Sequence, residues 1–305
     1  MDKTDIVLSL LLLTNSRIPY RDLAEKLDLS ANAVHQRIQA LVQLGVIRKF
    51  TTKISLIALK PIIVFIYGTS EAESINGLHE KIGKNNLIYW VAYGGGKWLY
   101  IGAYLRNLSE LQGLLNFLKK EAAMPNPTVG IFPQTPSSPV FGTEQMLSAL
   151  DRQIIFSLKD NSRKPIWQVA EELGVAAKTV RRRLSAMEKK SLIEFSIHWY
   201  ADSSNDIISV MHIKLKPEVE ANSLAETMKG FAPNAVLWLP PINIPNELFT
   251  LFWASTMKEL KGIQQRLVNQ PIVASLMSNI LFAGYIFDTW RDDLVAPQNI
   301  TNREN

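Results

Sequence analysis

Two polar stretches in this chain of 305 residues carry side chains able to recognise nucleic acid. In "SANAVHQRIQALVQLG" (30–45), Asn32, Gln36, Gln39 and Gln43 recur at helical spacing. In "AAKTVRRRLSAMEKKS" (176–191), Lys178, Arg182, Ser185 and Lys189 hold the corresponding places, with Thr179, Arg181, Arg183 and Lys190 beside them. A carboxamide can bond bidentately to the N6/N7 edge of adenine, whereas Arg and Lys contact phosphate or the O6/N7 edge of guanine. The first stretch is therefore equipped to read A·T pairs in a major groove, and the second to clamp the backbone or to read G·C pairs. Gln and Lys are also good helix formers on any exposed surface, so the meaning of these residues depends on what positions them.

At about 100° per residue, Val34, Ile38 and Leu41 fall on the face opposite the carboxamides and must point to a core. Ser30 is a natural N-cap for this helix, and Gly45 supplies its left-handed stop. Upstream, the pattern predicts a helix over about Lys3–Leu13 and a second beginning near Pro19, with Leu23 and Leu27 on one face. Downstream, "VIRKFTTKI" (46–54) reads as part of a basic hairpin that exposes Arg48, Lys49 and Lys53. Two helices joined by a short turn, followed by a basic hairpin, make a winged helix-turn-helix. His35 and Arg37 on the third helix and Arg48, Lys49 and Lys53 on the wing complete the contact set expected in the first copy.

The unit is written twice. "NSRIP" (15–19) recurs as "NSRKP" (161–165), and "DLAEKLDLS" (22–30) as "QVAEELGVA" (168–176), both in the same register. Val34, Arg37 and Ile47 recur as Val180, Arg183 and Ile193 without a gap. Charge follows the repeat. Residues 1–55 hold eight Lys/Arg against five Asp/Glu, and residues 150–199 hold ten against six, while the whole chain is only +5. Basic charge concentrated on the repeated unit is the footprint that double-stranded DNA requires.

After each unit comes the pattern strand–helix–strand–strand–helix–strand. In the first half it runs 60–69, 71–83, 87–93, 98–105, 109–122 and 127–133; in the second 207–215, 218–230, 235–240, 247–255, 257–270 and 278–288. This is the βαββαβ order of a ferredoxin-like sandwich. The expected fold is α+β: a winged helix-turn-helix over 1–55, a sandwich over 56–135, a linker over 136–148, a second head over 149–200, a second sandwich over 201–292 and a flexible tail over 293–305. The middle strands of both sandwiches, such as "LIYWVAY" and "ELFTLFWAS", are apolar on both faces, so each sheet is expected to pack on a second sheet as well as on its helices.

Composition excludes several classes. There is no Cys, hence no disulfide and no thiolate metal site, as fits a reducing cytosol. "IVLSLLLL" (6–13) is too short to span a bilayer and has neither the basic flank nor the cleavage site of a signal peptide. None of the four His, at 35, 79, 198 and 212, has a neighbour at metal-ligand or acid–base spacing, and there is no nucleophile elbow, phosphate loop or carboxylate dyad. The expectation is a cytoplasmic protein that is not an enzyme and needs no cofactor or metal.

"DLAEKLDLSANAVHQRIQALVQLGVIRKF" (22–50), and more loosely "QVAEELGVAAKTVRRRLSAMEKKSLIEF" (168–195), resemble the Lrp/AsnC family of transcriptional regulators in a tandem, fused form. The family pattern matches Ser30, Arg37, Leu41, Gly45 and Ile47; in the second copy Ala176 stands for the Ser and Ser191 for the Gly. The resemblance implies regulation of transcription through DNA, a homodimer, and sandwiches that oligomerise and bind a small effector. The family's effector turn, Gly–x–x–Asp, is half matched by "YGGGKW" (93–98) and unmatched by "LPPINIPNEL" (239–248). An effector is therefore expected, if anywhere, at Gly94, Gly95, Gly96 and Lys97, with Trp98 and Tyr100 lining its pocket. Two alternatives stay open: a decarboxylase of haem biosynthesis, which shares this architecture, and a winged-helix module that binds other proteins.

Overall fold

The computed structural model describes residues 1–132 and 147–296. Helix α1 (Lys3–Thr14) begins in a capping box made by Asp2 and Asp5. Helix α2 (Tyr20–Leu27) and helix α3 (Ala31–Gln43) follow, the latter capped by Ser30, which accepts the Ala33 amide. Gly45 takes the left-handed conformation, φ +74°, that lets the chain turn from α3 into strand β1 (Ile47–Ile54). Leu8, Leu12, Leu23, Val34, Ile38 and Leu41 form the core of this head.

The short helix α4 (Leu56–Leu59) leads to the first sheet half: β2 (Ile62–Thr69), α5 (Leu78–Ile82), β3 (Ile88–Gly94), β4 (Trp98–Leu105), α6 (Ser109–Glu121) and β5 (Thr128–Phe132). Helix α5 is much shorter than the expected 71–83, because Gly77 at φ +72° breaks the chain before it. The linker expected over 136–148 lies outside the described residues except for Leu147 and Ser148, and Ser148 caps the next helix.

The second head repeats the first: α7 (Ala149–Ser157), α8 (Ile166–Leu173), α9 (Ala177–Lys189) and β6 (Ile193–Trp199). Ala176 gives α9 no side-chain cap, and Ser191 sits at φ +52° where the first copy has its glycine. The second sheet half is β7 (Ile207–Leu215), α10 (Ala221–Lys229), β8 (Ala235–Leu239), β9 (Glu247–Ala254), α11 (Met257–Val268) and β10 (Val273–Ile286).

Two features depart from the sequence reading. First, no wing folds back on its own copy. The strands β1 and β6 pair with each other, antiparallel, from Lys49↔His198 to Ile54↔Ile193. After Ile54 the chain enters α4, and after Trp199 a tight 3₁₀ turn (Ala201–Ser203), so neither strand has a return partner of its own. The duplicated "NSR" loops close the same junction. Ser16 and Ser162 are fully buried, their hydroxyls 2.6 Å apart, and Arg163 donates to the Ile18 carbonyl at 3.0 Å while Arg17 donates to that of Ser162.

Second, the two sheet halves are one sheet of eight strands, β5-β2-β4-β3-β10-β7-β9-β8. Strand β10 begins at Val273, earlier than expected, because its first part pairs with β7 and its last part, from Leu281↔Gly94 to Ile286↔Trp90, pairs with β3. Helices cover one face of each half. On the uncovered face, aromatic side chains of the two halves meet: Phe65 lies 5.5 Å from Phe249 and Tyr67 lies 4.9 Å from His212, centroid to centroid. The far ends close as well, for Asn243 beyond β8 bonds Val129 and Ile131 of β5 at 2.8 and 2.7 Å. The apolar second faces are thus buried against each other within one chain.

The tail expected to be flexible from 293 stays packed through Val295. Helix α12 (Trp290–Asp293) ties the end of β10 to the junction of the heads. Trp290 donates from its indole to Tyr104 at 2.8 Å, Arg291 reaches the Ile54 carbonyl at 2.5 Å and Glu194 at 2.5 Å, and Val295 is buried in the core of the second head.

Candidate nucleic-acid interface and neighbouring cavity

The outward face of α3 carries Asn32, His35, Gln36, Gln39 and Gln43, all exposed, with the His35 ring 5.3 Å from that of Tyr20. Arg37 turns the other way. Its Nη1 lies 2.7 Å from Asp5 Oδ1 and 2.9 Å from Asp2 Oδ2, the two members of the capping box of α1. The second copy repeats this at longer range, with Arg183 Nη1 3.5 Å from Asp151 Oδ2, again a capping-box carboxylate. The family arginine therefore fastens the third helix to the start of the first. Asp5 and Asp151 occupy equivalent places in the repeat, so the pairing of this arginine with an aspartate is itself written twice in the sequence.

On α9, Lys178, Arg181, Arg182, Lys189 and Lys190 are exposed and form no ion pair among the described residues, whereas Thr179, Arg183 and Ser185 are half-buried. The contrast between the two faces read from sequence, uncharged on α3 and cationic on α9, is what the folded heads present.

The strand cations have other partners. Lys49 pairs with Asp160 at 2.7 Å, Lys53 with Asp292 at 2.9 Å, and the Arg48 guanidinium stacks 3.7 Å above the Tyr200 ring. Lys49 thus links the first head to the second, Lys53 links β1 to α12, and Arg48 packs on the turn after β6. The reason is the β1–β6 pairing itself, which turns the wing into an internal joint. His198, also on this joint, is pushed down to about 4 by burial and then by Lys53 and Lys49.

The turn Gly94–Lys97 is closed. Gly95 donates to Asn279 Oδ1 at 2.7 Å, and a side chain on Gly94 would meet Asn279 within 2.9 Å. Lys97 bonds the Ala72 carbonyl at 2.7 Å. Trp98 and Tyr100 belong to the aromatic layer between the sheet halves, where the Tyr100 hydroxyl lies 3.0 Å from His212 Nε2. Burial pushes His212 down to about 4, so this imidazole is neutral at physiological pH, and it pushes Tyr100 up. None of these residues lines the apolar cavity that lies elsewhere between the halves. That cavity, about 240 Å³, is bounded by Phe65, Trp90, Trp199, Tyr200, Asp202, Leu237, Leu251, Leu281 and Gly284. Its lining includes Asp202 but no Lys, Arg or His.

The two heads, residues 1–48 and 147–194, each match the family model described as winged helix-turn-helix DNA-binding. Over 124 residues, 39% of this chain and 84% of the relative, the sequence is 32% identical to an uncharacterised HTH-type transcriptional regulator of Pyrococcus abyssi. The chain belongs to the winged helix-turn-helix transcriptional regulators. Less than half of this regulator thus accounts for most of that relative. It is also 39% identical to the HTH-type transcriptional regulator LysM of Sulfurisphaera tokodaii over 51 residues, 17% of this chain and 36% of that one. In fold, the whole chain resembles the siroheme decarboxylase NirDL, with a TM-score of 0.59, 12% identity, and coverage of 96% of this chain and 98% of that one. At that identity the likeness is one of fold. No helix among the described residues is long and apolar enough to cross a membrane.

Proposed function

We propose that this regulator places both recognition helices of one chain on double-stranded DNA, with α3 reading base edges through Asn32, Gln36, Gln39 and Gln43 and α9 holding the backbone through Lys178, Arg181, Arg182, Lys189 and Lys190. The observation that carries this reading is the set of exposed, unpaired cations on α9, opposite a buried face of Val180, Leu184 and Met187. Cations with internal partners, Arg37, Lys49, Lys53 and Arg183, are left out of the contact set. Joined through β1–β6 and the Ser16–Ser162 contact, the heads act as one rigid reader of an asymmetric site, whereas a relative with one head must dimerise to bring two recognition helices together.

A second copy adds to this equipment. β8 itself pairs on one side only, ahead of the Asn243 contact with β5, and Trp238 is partly exposed on it; a strand edge of this kind is a template for further pairing. The proposed species is a homodimer carrying four heads, and light scattering that finds only monomer at micromolar concentration contradicts it.

The decarboxylase fold invites an enzymatic reading. Holding a polycarboxylate macrocycle in the space between the sheet halves calls for cations there, and the cavity wall offers an aspartate instead. That wall, together with the regulator relatives, supports reading the chain as a non-enzyme. Titration with fragments of genomic DNA tests the regulator reading: binding that weakens steeply with salt supports it, and no binding at low salt ends it. Turnover of a haem-precursor carboxylate would decide for the enzyme.

A further inference from the structure

The cavity between the sheet halves has a wall chemistry suited to one class of ligand. Its faces are aromatic and aliphatic, with Phe65, Trp90, Trp199, Tyr200 and Phe249 around one charged group, Asp202. The Asp202 carboxylate is held in place by the Gly284 amide, which donates to Oδ2 at 3.0 Å, and it forms no ion pair among the described residues. A lone carboxylate among ring faces favours positive charge twice, through the anion and through the ring quadrupoles, and it disfavours a second carboxylate. Leu237 is 49% exposed while lining the cavity, so the space reaches the surface beside it. At about 240 Å³ it is smaller than the ~300–1,000 Å³ of sites for drug-sized ligands, which restricts the occupant to a small body.

We propose that this cavity binds a small organic amine with an aromatic or branched aliphatic body, its ammonium group at Asp202. The position gives such a ligand access to the DNA-reading heads. Trp199 ends β6, and Tyr200–Asp202 continue directly from it. The Tyr200 amide donates to Val46 at 2.7 Å, and Val46 joins α3 to β1. Occupancy therefore presses on a wall that is also the floor of the first head. As an effector site the cavity rests on the regulator reading; as a binding site it does not.

Calorimetry on the full chain without DNA tests the site with three probes that share one body: 2-phenylethylamine, 2-phenylethanol and 3-phenylpropanoate. The amine is expected to bind about tenfold or more tighter than the alcohol, as a desolvated cation–π and ion-pair contact provides, and the acid not at all. Asp202→Asn keeps an oxygen for the Gly284 amide and is expected to bring the amine down to the affinity of the alcohol. Gly284→Val adds carbon beside Trp90 Nε1 and Asp202 Oδ1, 3.5 and 3.8 Å from the new Cβ, and is expected to weaken amine and alcohol together. The proposal is overturned if the acid binds as well as the amine, if the amine is indifferent to Asp202→Asn in a folded variant, or if the amine gives no saturable heat. DNA titrations without probe report on the heads alone, so a chain that binds DNA and ignores the amine contradicts only this proposal.

Discussion

Arg37→Ala separates a structural arginine from a DNA-contacting one. Arg37 bridges Asp5 at 2.7 Å and Asp2 at 2.9 Å, with its side chain 32% exposed. Its guanidinium is shifted up, chiefly by the Asp5 hydrogen bond. For Asp2, burial pushes upward, but the Asp5 amide and Arg37 outweigh it and the carboxyl ends below its usual range. A hydrogen bond between charged groups contributes roughly 1.5–3 kcal/mol, and an exposed ion pair about 0–1. Partial exposure places this bridge between the two, at about 1–2 kcal/mol. Both carboxylates keep their capping bonds after Arg37 is lost, from the Asp2 and Asp5 amides at 3.0 and 2.8 Å, so the variant is expected to fold. The Asp2 share has a definite pH sign: its folded pKa is lowered, so its contribution is present above the unfolded value near 3.8 and is lost as pH falls through the folded one. Urea denaturation of the parent, Arg37→Ala, Asp5→Asn and the double variant gives the coupling energy, and DNA titration of the same proteins gives the salt slope. An unchanged stability together with a salt slope reduced by about one unit would falsify the assignment, because that is the signature of a phosphate contact.

Ala176→Ser restores the missing cap of α9 and is expected to stabilise the chain by about 1 kcal/mol, seen as a raised urea midpoint at unchanged slope. Ser16→Ala alone leaves the buried Ser162 hydroxyl without its partner and is expected to cost about 1–3 kcal/mol, whereas the double Ser16→Ala, Ser162→Ala variant costs less than the sum of the singles; additive losses argue against the contact between loops. His198 and His212 are both depressed to about 4, mainly by burial, so the unfolded chain takes up protons that the folded chain refuses below the ordinary value of 6.5. Stability is therefore expected to fall as pH drops from 6.5 toward 4, by at most about 1.4 kcal/mol per pH unit for each imidazole. His212→Phe should flatten that decline, and a profile identical to the parent refutes it.

What was legible in the sequence was local. Ser30, Gly45 and the spacing of Val34, Ile38 and Leu41 fix α3 within a turn, and the alternation of strands and helices gave both sandwiches in order. What was missed depends on partners far along the chain. A strand such as "VIRKFTTKI" looks like half of a hairpin, since nothing in its nine letters says that its partner begins at Ile193. β10 looked short because its N-terminal residues, "VASLMS", mix small and polar side chains that only pairing with β7 makes into strand. Arg37 and Lys53 look like free cations until Asp5 and Asp292 come within 3 Å. The repeat held some of this information. Arg37 and Arg183 recur with Asp5 and Asp151, and residues that recur as a pair across a duplication are candidates for contact. The cavity had no comparable signature, because its wall is assembled from eight strands and the turn after β6.

The central claim, that α3 reads bases and α9 holds the backbone, is tested most directly by titrating the parent, Gln36→Ala and Arg182→Ala against a bound genomic duplex and its scrambled counterpart at several salt concentrations. Gln36→Ala is expected to cost about 1–3 kcal/mol on the specific duplex only, with the salt slope unchanged. Arg182→Ala is expected to weaken binding to both duplexes alike and to lower the slope by about one unit. Parent-like binding by both variants would remove these helices from the DNA, and a loss of specificity confined to Arg182→Ala would reverse their roles.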